Sequence, residues 1–271
     1  NGNSYSGAVN LTGSNYTISG AGTTLNRLIV KENCTITLDN VSFPLSTETT
    51  NAISIFPGKT VTLKLSGENT ITLSGTKQTG ISVPSTSTLN ITNITDDAKL
   101  IVTATGTRNL AIGGQYCAGK CGTINIWGGA ISASSGTYSA GIGSYNTEGG
   151  TVNIYGGTVV AKGGTDAAGI GGGSGAGGTV NIYGGTVKAT GSTTGAGIGG
   201  GNGGAGGAIT IYGGTVTATG GGSGSTDGGA GIGGGYNGAG GTITIRGGTV
   251  TAKSTTRGAG IGGGNKGAGG T

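Results

Sequence analysis

A glycine-punctuated block that keeps returning constrains this chain more than any other feature. Over Gly150–Gly173 it reads G-T-V-N-I-Y-G-G-T-V-V-A-K-G-G-T-D-A-A-G-I-G-G-G. Gly178–Gly201 repeats it, Gly207–Gly235 repeats it with an insertion, and Gly241–Gly264 repeats it again. A more divergent copy, Gly122–Ser144, precedes them with Trp127 where three of the others have tyrosine. A period of this length decides the architecture before anything else is read, because each unit cannot bury its own apolar face and must stack on its neighbours.

Within a unit the apolar residues alternate over four or five positions between glycines, the pattern of short strands. First strands are Thr35–Leu38, Thr60–Leu63, Thr88–Ile91 and Thr123–Ile126, and second strands are Thr70–Leu73, Ile101–Ala104 and Ala130–Ala133. Third strands centre on Ile53, Ile81, Ile112, Ile142, Ile170, Ile198, Ile232 and Ile261, which fall 28, 31, 30, 28, 28, 34 and 29 residues apart. Parity aligns one inward column as Ile124, Val152, Val180, Ile209 and Ile243, and another as Ile126, Ile154, Ile182, Ile211 and Ile245. The expected fold is all-β: a right-handed parallel β-helix with three short strands per coil and about 28–30 residues per coil. With coils about 4.8 Å apart, eight or nine would make a rod of roughly 40 Å.

Glycine divides the repeat into two styles. Of 69 glycines, ten precede Gly113 and 59 follow from it. Residues 1–34 are read as an N-terminal cap and first coil, 35–112 as coils with longer polar turns, and 113–271 as glycine-rich coils of the same solenoid. Corners that need φ > 0 favour glycine. A disordered glycine-rich linker would not hold Ile and Val at fixed offsets. The chain opens on Asn1 and stops at Thr271 where another first strand is due, so either a leader has been removed or this is an excised piece of something larger, and a continuation past Thr271 is expected.

Composition narrows the function. Fourteen Lys and Arg against nine Asp and Glu give a net charge of +5, spread thinly, with no basic stripe for nucleic acid. No apolar run reaches the length that spans a membrane. There is no histidine, so proton relays through imidazole are unavailable. Past Gly113 the acids are Glu148, Asp166 and Asp227, too dispersed for the paired carboxylates of glycoside hydrolysis. Asp96-Asp97 reads as a solvated turn, the glycine turns lack the repeated Asp of calcium-binding β-rolls, and no Gly-Gly pair leads into a phosphate-loop Lys. Neither catalysis nor a cofactor nor a metal is expected. Asn10, Asn15, Asn33, Asn40, Asn90 and Asn93 open N-x-S/T sequons of the kind a Thr- and Asn-rich chain contains by chance. Cys117 and Cys121 bracket three residues at a spacing that a disulfide can close, and Cys34 has inward parity. Scarce charge together with that pair points to an extracellular setting.

The outward positions carry the candidate site. Trp127, Tyr155, Tyr183 and Tyr212, followed by Arg246, form one ladder, and Asn125, Asn153 and Asn181 run beside it. Aromatic rings next to amides suit polysaccharide, whose CH faces pack on rings while hydroxyls bond to amides. The same ladder also stacks on itself and shields a sheet. A threonine column at Thr158, Thr186, Thr215 and Thr249 suggests a crystal surface, but the adjacent Ser132, Val160, Lys188, Thr217 and Thr251 are too mixed for a lattice.

The motifs G-T-[IV]-[NT]-I-Y-G-G-T-V-x-A and A-G-I-G-G-G resemble the glycine-rich repeats of large bacterial cell-surface proteins with a pectin-lyase-like right-handed parallel β-helix, often filed as carbohydrate-binding domain proteins. The resemblance covers residues 122–271. It implies the fold and a cell-surface context, and carries over no ligand residue. The chain is therefore expected to be a non-catalytic extracellular adhesin or structural stalk. One alternative is a module binding cell-surface, plant or host polysaccharide through the aromatic ladder. A second is a subunit that stacks end to end.

Overall fold

In a computed structural model, which describes residues 4–46, 50–114, 119–224 and 227–271, the chain winds into a right-handed parallel β-solenoid of about eight turns. Strands at the same position in successive coils pair in parallel and in register. The first sheet runs through Thr60–Ser66, Thr88–Asn93, Thr123–Ile126, Thr151–Ile154, Thr179–Ile182, Ala208–Ile211 and Thr242–Ile245. The second runs through Glu68–Leu73, Lys99–Ala104, Ala130–Ser134, Thr158–Lys162, Thr186–Thr190, Thr215–Gly220 and Thr249–Ser254. In the third, Ile53, Ile81, Ile112, Ile142, Ile170, Ile198, Ile232 and Ile261 are successive partners, as their spacing predicts.

Alternation does the folding. Thr-Val-Asn-Ile and its variants bury every second side chain, so Ile126, Ile154, Ile182 and Ile211 are wholly buried on the axis. Ile245 and Ile261 in the last coil are 44% and 47% exposed because no further coil covers them here.

The early coils depart from three short strands. Asn15–Val30 is one strand that contributes to all three sheets, and Cys34–Leu45 is one that serves the first and second. The corner in the latter is a single left-handed residue, Asn40 at φ 57°, succeeded one coil on by Gly67 at φ 59°. At this corner the ladder breaks between Asp39↔Ser66 and Ser42↔Thr70, and amide side chains take up the freed N–H groups of Val41 and Glu68. The stretch Val41–Leu45, which the sequence reading passes over as a strand, buries Val41, Phe43 and Leu45. Pro44 disguises it, yet it lies outward and pairs in register with Thr72. Ser4–Leu11 pairs with Asn15–Val30, which in turn pairs with the later strands Cys34–Leu45 and Ile53–Ile55, all in the same parallel sense.

The two styles of corner satisfy their backbone differently. Among earlier coils, buried amide side chains do it. Val41 N–H donates to Asn69 Oδ1 (3.1 Å), whose Nδ2 reaches the carbonyls of Leu38, Ser66 and Lys99. In later coils the corners bond to one another: Gly149 N–H to Ala176 O, Gly177 to Ala205 and Gly206 to Ala239. That contact requires glycine where chains come closest. A Cβ on Gly201 would sit 1.4 Å from the Gly173 carbonyl oxygen.

Candidate functional site

The aromatic and asparagine ladders lie on the outer face of the first sheet because they occupy alternate positions of paired strands. Asn125, Asn153 and Asn181 are register partners, and Trp127, Tyr155 and Tyr183 each follow a buried isoleucine. Adjacent rings are stacked. Trp127 and Tyr155 are 3.9 Å apart between centroids with planes at 5°, Tyr155 and Tyr183 are 4.7 Å apart at 3°, and Tyr183 and Tyr212 are 4.7 Å apart at 5°. Arg246 closes the column with its guanidinium 5.6 Å from the Tyr212 centroid, within cation–π range.

Stacking at the coil repeat covers the ring faces with one another. From Tyr155 to Tyr183 both faces are occupied, so what the ladder offers outward is ring edge. Tyr183 is 40% and Tyr212 42% exposed in this way, and Trp127, at the ladder's end, 52%. From Tyr155 to Tyr212 the flat aromatic faces that would receive a sugar ring are thus taken up between coils, while among the described residues Trp127 has a ring stacked on one side only. Partial desolvation, then the neighbouring Tyr155 and Tyr212 hydroxyls, pushes the Tyr183 hydroxyl above the ordinary tyrosine range.

The amides are also used along the axis. Asn125 Nδ2 donates to Asn90 Oδ1 (2.8 Å), Asn153 to Asn125 (2.8 Å) and Asn181 to Asn153 (2.9 Å). Asn90 extends this ladder by one coil and was not among the candidates. Its alignment in Thr88-Leu89-Asn90-Ile91 was the available signal. Beyond Asn181 the column continues as Thr210 and Thr244.

Cys117 lies outside the described residues, so the expected Cys117–Cys121 bridge does too. Cys121 is buried, and burial pushes its thiol up to about 12. Cys34 faces the core, as its parity requires, at 8% exposure. Asp96 and Asp97 occupy an exposed turn. Among the described residues no group of three His, Cys, Asp or Glu is placed to hold a metal ion. Glu148 makes an ion pair with Lys120 (3.5 Å), and the Asp166 carboxylate accepts from Thr194 Oγ1 (2.8 Å).

Comparison with known proteins agrees with the geometry. A family described as Beta helix repeat matches residues 152–174, 180–204, 209–236 and 243–265, each match running from the first strand of a coil past its third. No curated protein and no solved structure matches the chain. The repeat match and the three in-register ladders together make this chain a parallel β-helix protein.

Proposed function

We propose that the chain is a non-catalytic structural solenoid, a stalk within an extracellular bacterial surface protein. One observation carries this reading. Tyr155, Tyr183 and Tyr212, with Asn125 and Asn153, are spent on the coil above and the coil below. Stacked rings and linked amides along the axis resist sliding and separation of coils, which is what a spacer under load requires. The low proportion of charged residues, 8%, and the resemblance of the glycine repeats support a cell-surface setting.

A glycan array tests it. Binding that vanishes when Tyr155 and Tyr183 are both replaced by alanine, in a protein that remains folded, would favour a polysaccharide module over a stalk. Absence of binding, or binding that survives the change, supports the stalk. End-to-end self-stacking is the remaining alternative. Concentration-dependent light scattering that an Ile245→Lys change abolishes would support it.

A further inference from the structure

The outer face of the second sheet is one-sided in charge. Alternation places its outward side chains in three columns, each paired in register along the axis. The first runs Glu68, Lys99, Ala130, Thr158, Thr186. The second holds Ile101, Ser132, Val160 and Lys188, and the third holds Lys162 and, three coils on, Lys253. Four lysines thus share this face with one acid, Glu68. Among them lies a shallow hollow of about 170 Å³ whose lining includes Lys99 and the apolar side chains of Ile101, Ala130 and Val160. Val160 is 40% exposed there.

The complement to that hollow is on the same chain. Where the first sheet meets the second, Gly67 alone makes one corner and later coils turn on a Gly-Gly pair, but the corner at 94–98 is longer. It presents Ile94, 56% exposed, followed by the exposed pair Asp96 and Asp97. The ion pairs among the described residues are Lys59–Glu32, Lys99–Glu68 and Lys120–Glu148. Asp96, Asp97, Lys162, Lys188 and Lys253 therefore have no oppositely charged partner among those residues. An aliphatic tip flanked by two carboxylates stands on one part of the surface, and an apolar hollow flanked by lysines on another.

We propose that two copies of this chain pair side by side and antiparallel, second sheet on second sheet, with the 94–98 corner of each entering the hollow of the other. A two-fold axis normal to the sheet at Ala130 fixes the register. The corner lies one coil before Ala130 and outside the first column. Rotation carries it one coil past Ala130 and between the second and third columns, where Val160 and Lys162 stand. Ile94 then meets Val160, and the two carboxylates meet Lys162 and, one coil further, Lys188. The same rotation carries Glu68 to Thr186, beside Lys188. Alanine on the axis lets the two sheets approach. A parallel pairing would set the lysine-bearing coils against each other and leave the acids unmatched. Seven strands and three columns give a face of roughly 30 Å by 15 Å, at the small end for an interface, so the pair is in equilibrium with single chains. This pairing is independent of the stalk reading, which stands if it fails.

Sedimentation equilibrium of the whole chain tests it, with circular dichroism confirming that each variant keeps the parent fold. The parent is expected to reach a plateau at twice the monomer mass, and raising the salt from about 0.05 M to about 0.5 M should weaken the pair. One variant carries Asp96→Lys and Asp97→Lys, another Lys162→Glu and Lys188→Glu. Each alone should raise the dissociation constant at least roughly tenfold, because like charges then face each other at both symmetric contacts. Mixed in equal amounts, the two variants should pair with each other, since every reversed charge meets its opposite. Ile94→Ser should weaken the pair, and Ile245→Lys should leave it unchanged. A parent that stays monomeric up to about 1 mM at low salt would overturn the proposal. So would either reversed variant pairing as the parent does, a mixture that stays monomeric, or a mass that climbs past the dimer and falls with Ile245→Lys.

Discussion

Replacing Tyr183 by alanine asks whether the aromatic ladder holds coils together. Tyr183 is stacked on both sides, against Tyr155 and Tyr212, at 4.7 Å each and nearly parallel. A stacked aromatic pair contributes about 0.5–1.5 kcal/mol beyond burial, so losing two removes about 1–3 kcal/mol. The residue is 40% exposed, so the burial lost in addition is only partial. Tyr183→Phe keeps both stacks and should stay within about 0.5 kcal/mol of the parent. A double-mutant cycle with Tyr155→Ala should return a coupling of about 0.5–1.5 kcal/mol. Urea unfolding followed by circular dichroism gives the midpoint. Because a solenoid can open in segments, hydrogen exchange should localise the loss to strands Thr151–Ile154, Thr179–Ile182 and Ala208–Ile211. An alanine protein with the parent's midpoint and unchanged protection in those strands would refute the reasoning, because a ladder without coupling cannot brace a stalk.

Four further outcomes follow from the packing. Gly201→Ala places a methyl 1.4 Å from a backbone oxygen and should cost about 3 kcal/mol or more, whereas Gly203→Ala meets open space at φ 73° and should cost about 1–2 kcal/mol, both read by chemical denaturation. Asn69→Ala strands the Val41 N–H and removes the donor to three carbonyls, so a loss of about 1–3 kcal/mol is expected in the same assay. The raised Tyr183 hydroxyl means the unfolded chain releases its proton first; its contribution is intact below the ordinary tyrosine value of about 10 and lost as pH rises through the folded value. Tyr183→Phe should therefore flatten the alkaline fall in stability. In reduced protein, a Cys121 thiol shifted from 9.0 to about 12 has about a thousandfold less thiolate, so alkylation at mildly alkaline pH should be blocked until unfolding.

What the sequence made legible was whatever repeats with a fixed period. The isoleucines of the third sheet and the inward columns of the first and second could be aligned by counting, because parallel in-register pairing places equivalent residues side by side. The aromatic column was legible for the same reason. Its stacking was legible as one of two readings, because periodicity fixes which rings are neighbours and leaves open whether their faces point outward or at one another; the structure selects the stacked one. Pro44 hid the strand at Val41–Leu45, where alternation was present but the imino acid argued against it.

The two styles of corner also determine where a solenoid of this kind can carry a side-chain site. From Gly113 onward the outward column of the third sheet is glycine, with φ between +129° and +145° at Gly113, Gly143, Gly171, Gly199, Gly233 and Gly262. A Cβ at Gly113, Gly143, Gly171, Gly199 or Gly233 would lie 1.8–2.2 Å from the carbonyl oxygen of the next coil, so substitution there separates coils before it decorates a surface. Backbone pairing through glycine thus closes that column to side chains, including any that could recognise a ligand. In the coils before Gly113 polar corner groups are met by the side chains of Asn51, Asn69 and Asn109 instead, and the column is free to hold isoleucine or serine. The glycine-rich half favours uniform stacking; the polar half tolerates variation. Side chains in this column of the third sheet are therefore confined to the early coils, at Ile29, Ser54 and Ser82.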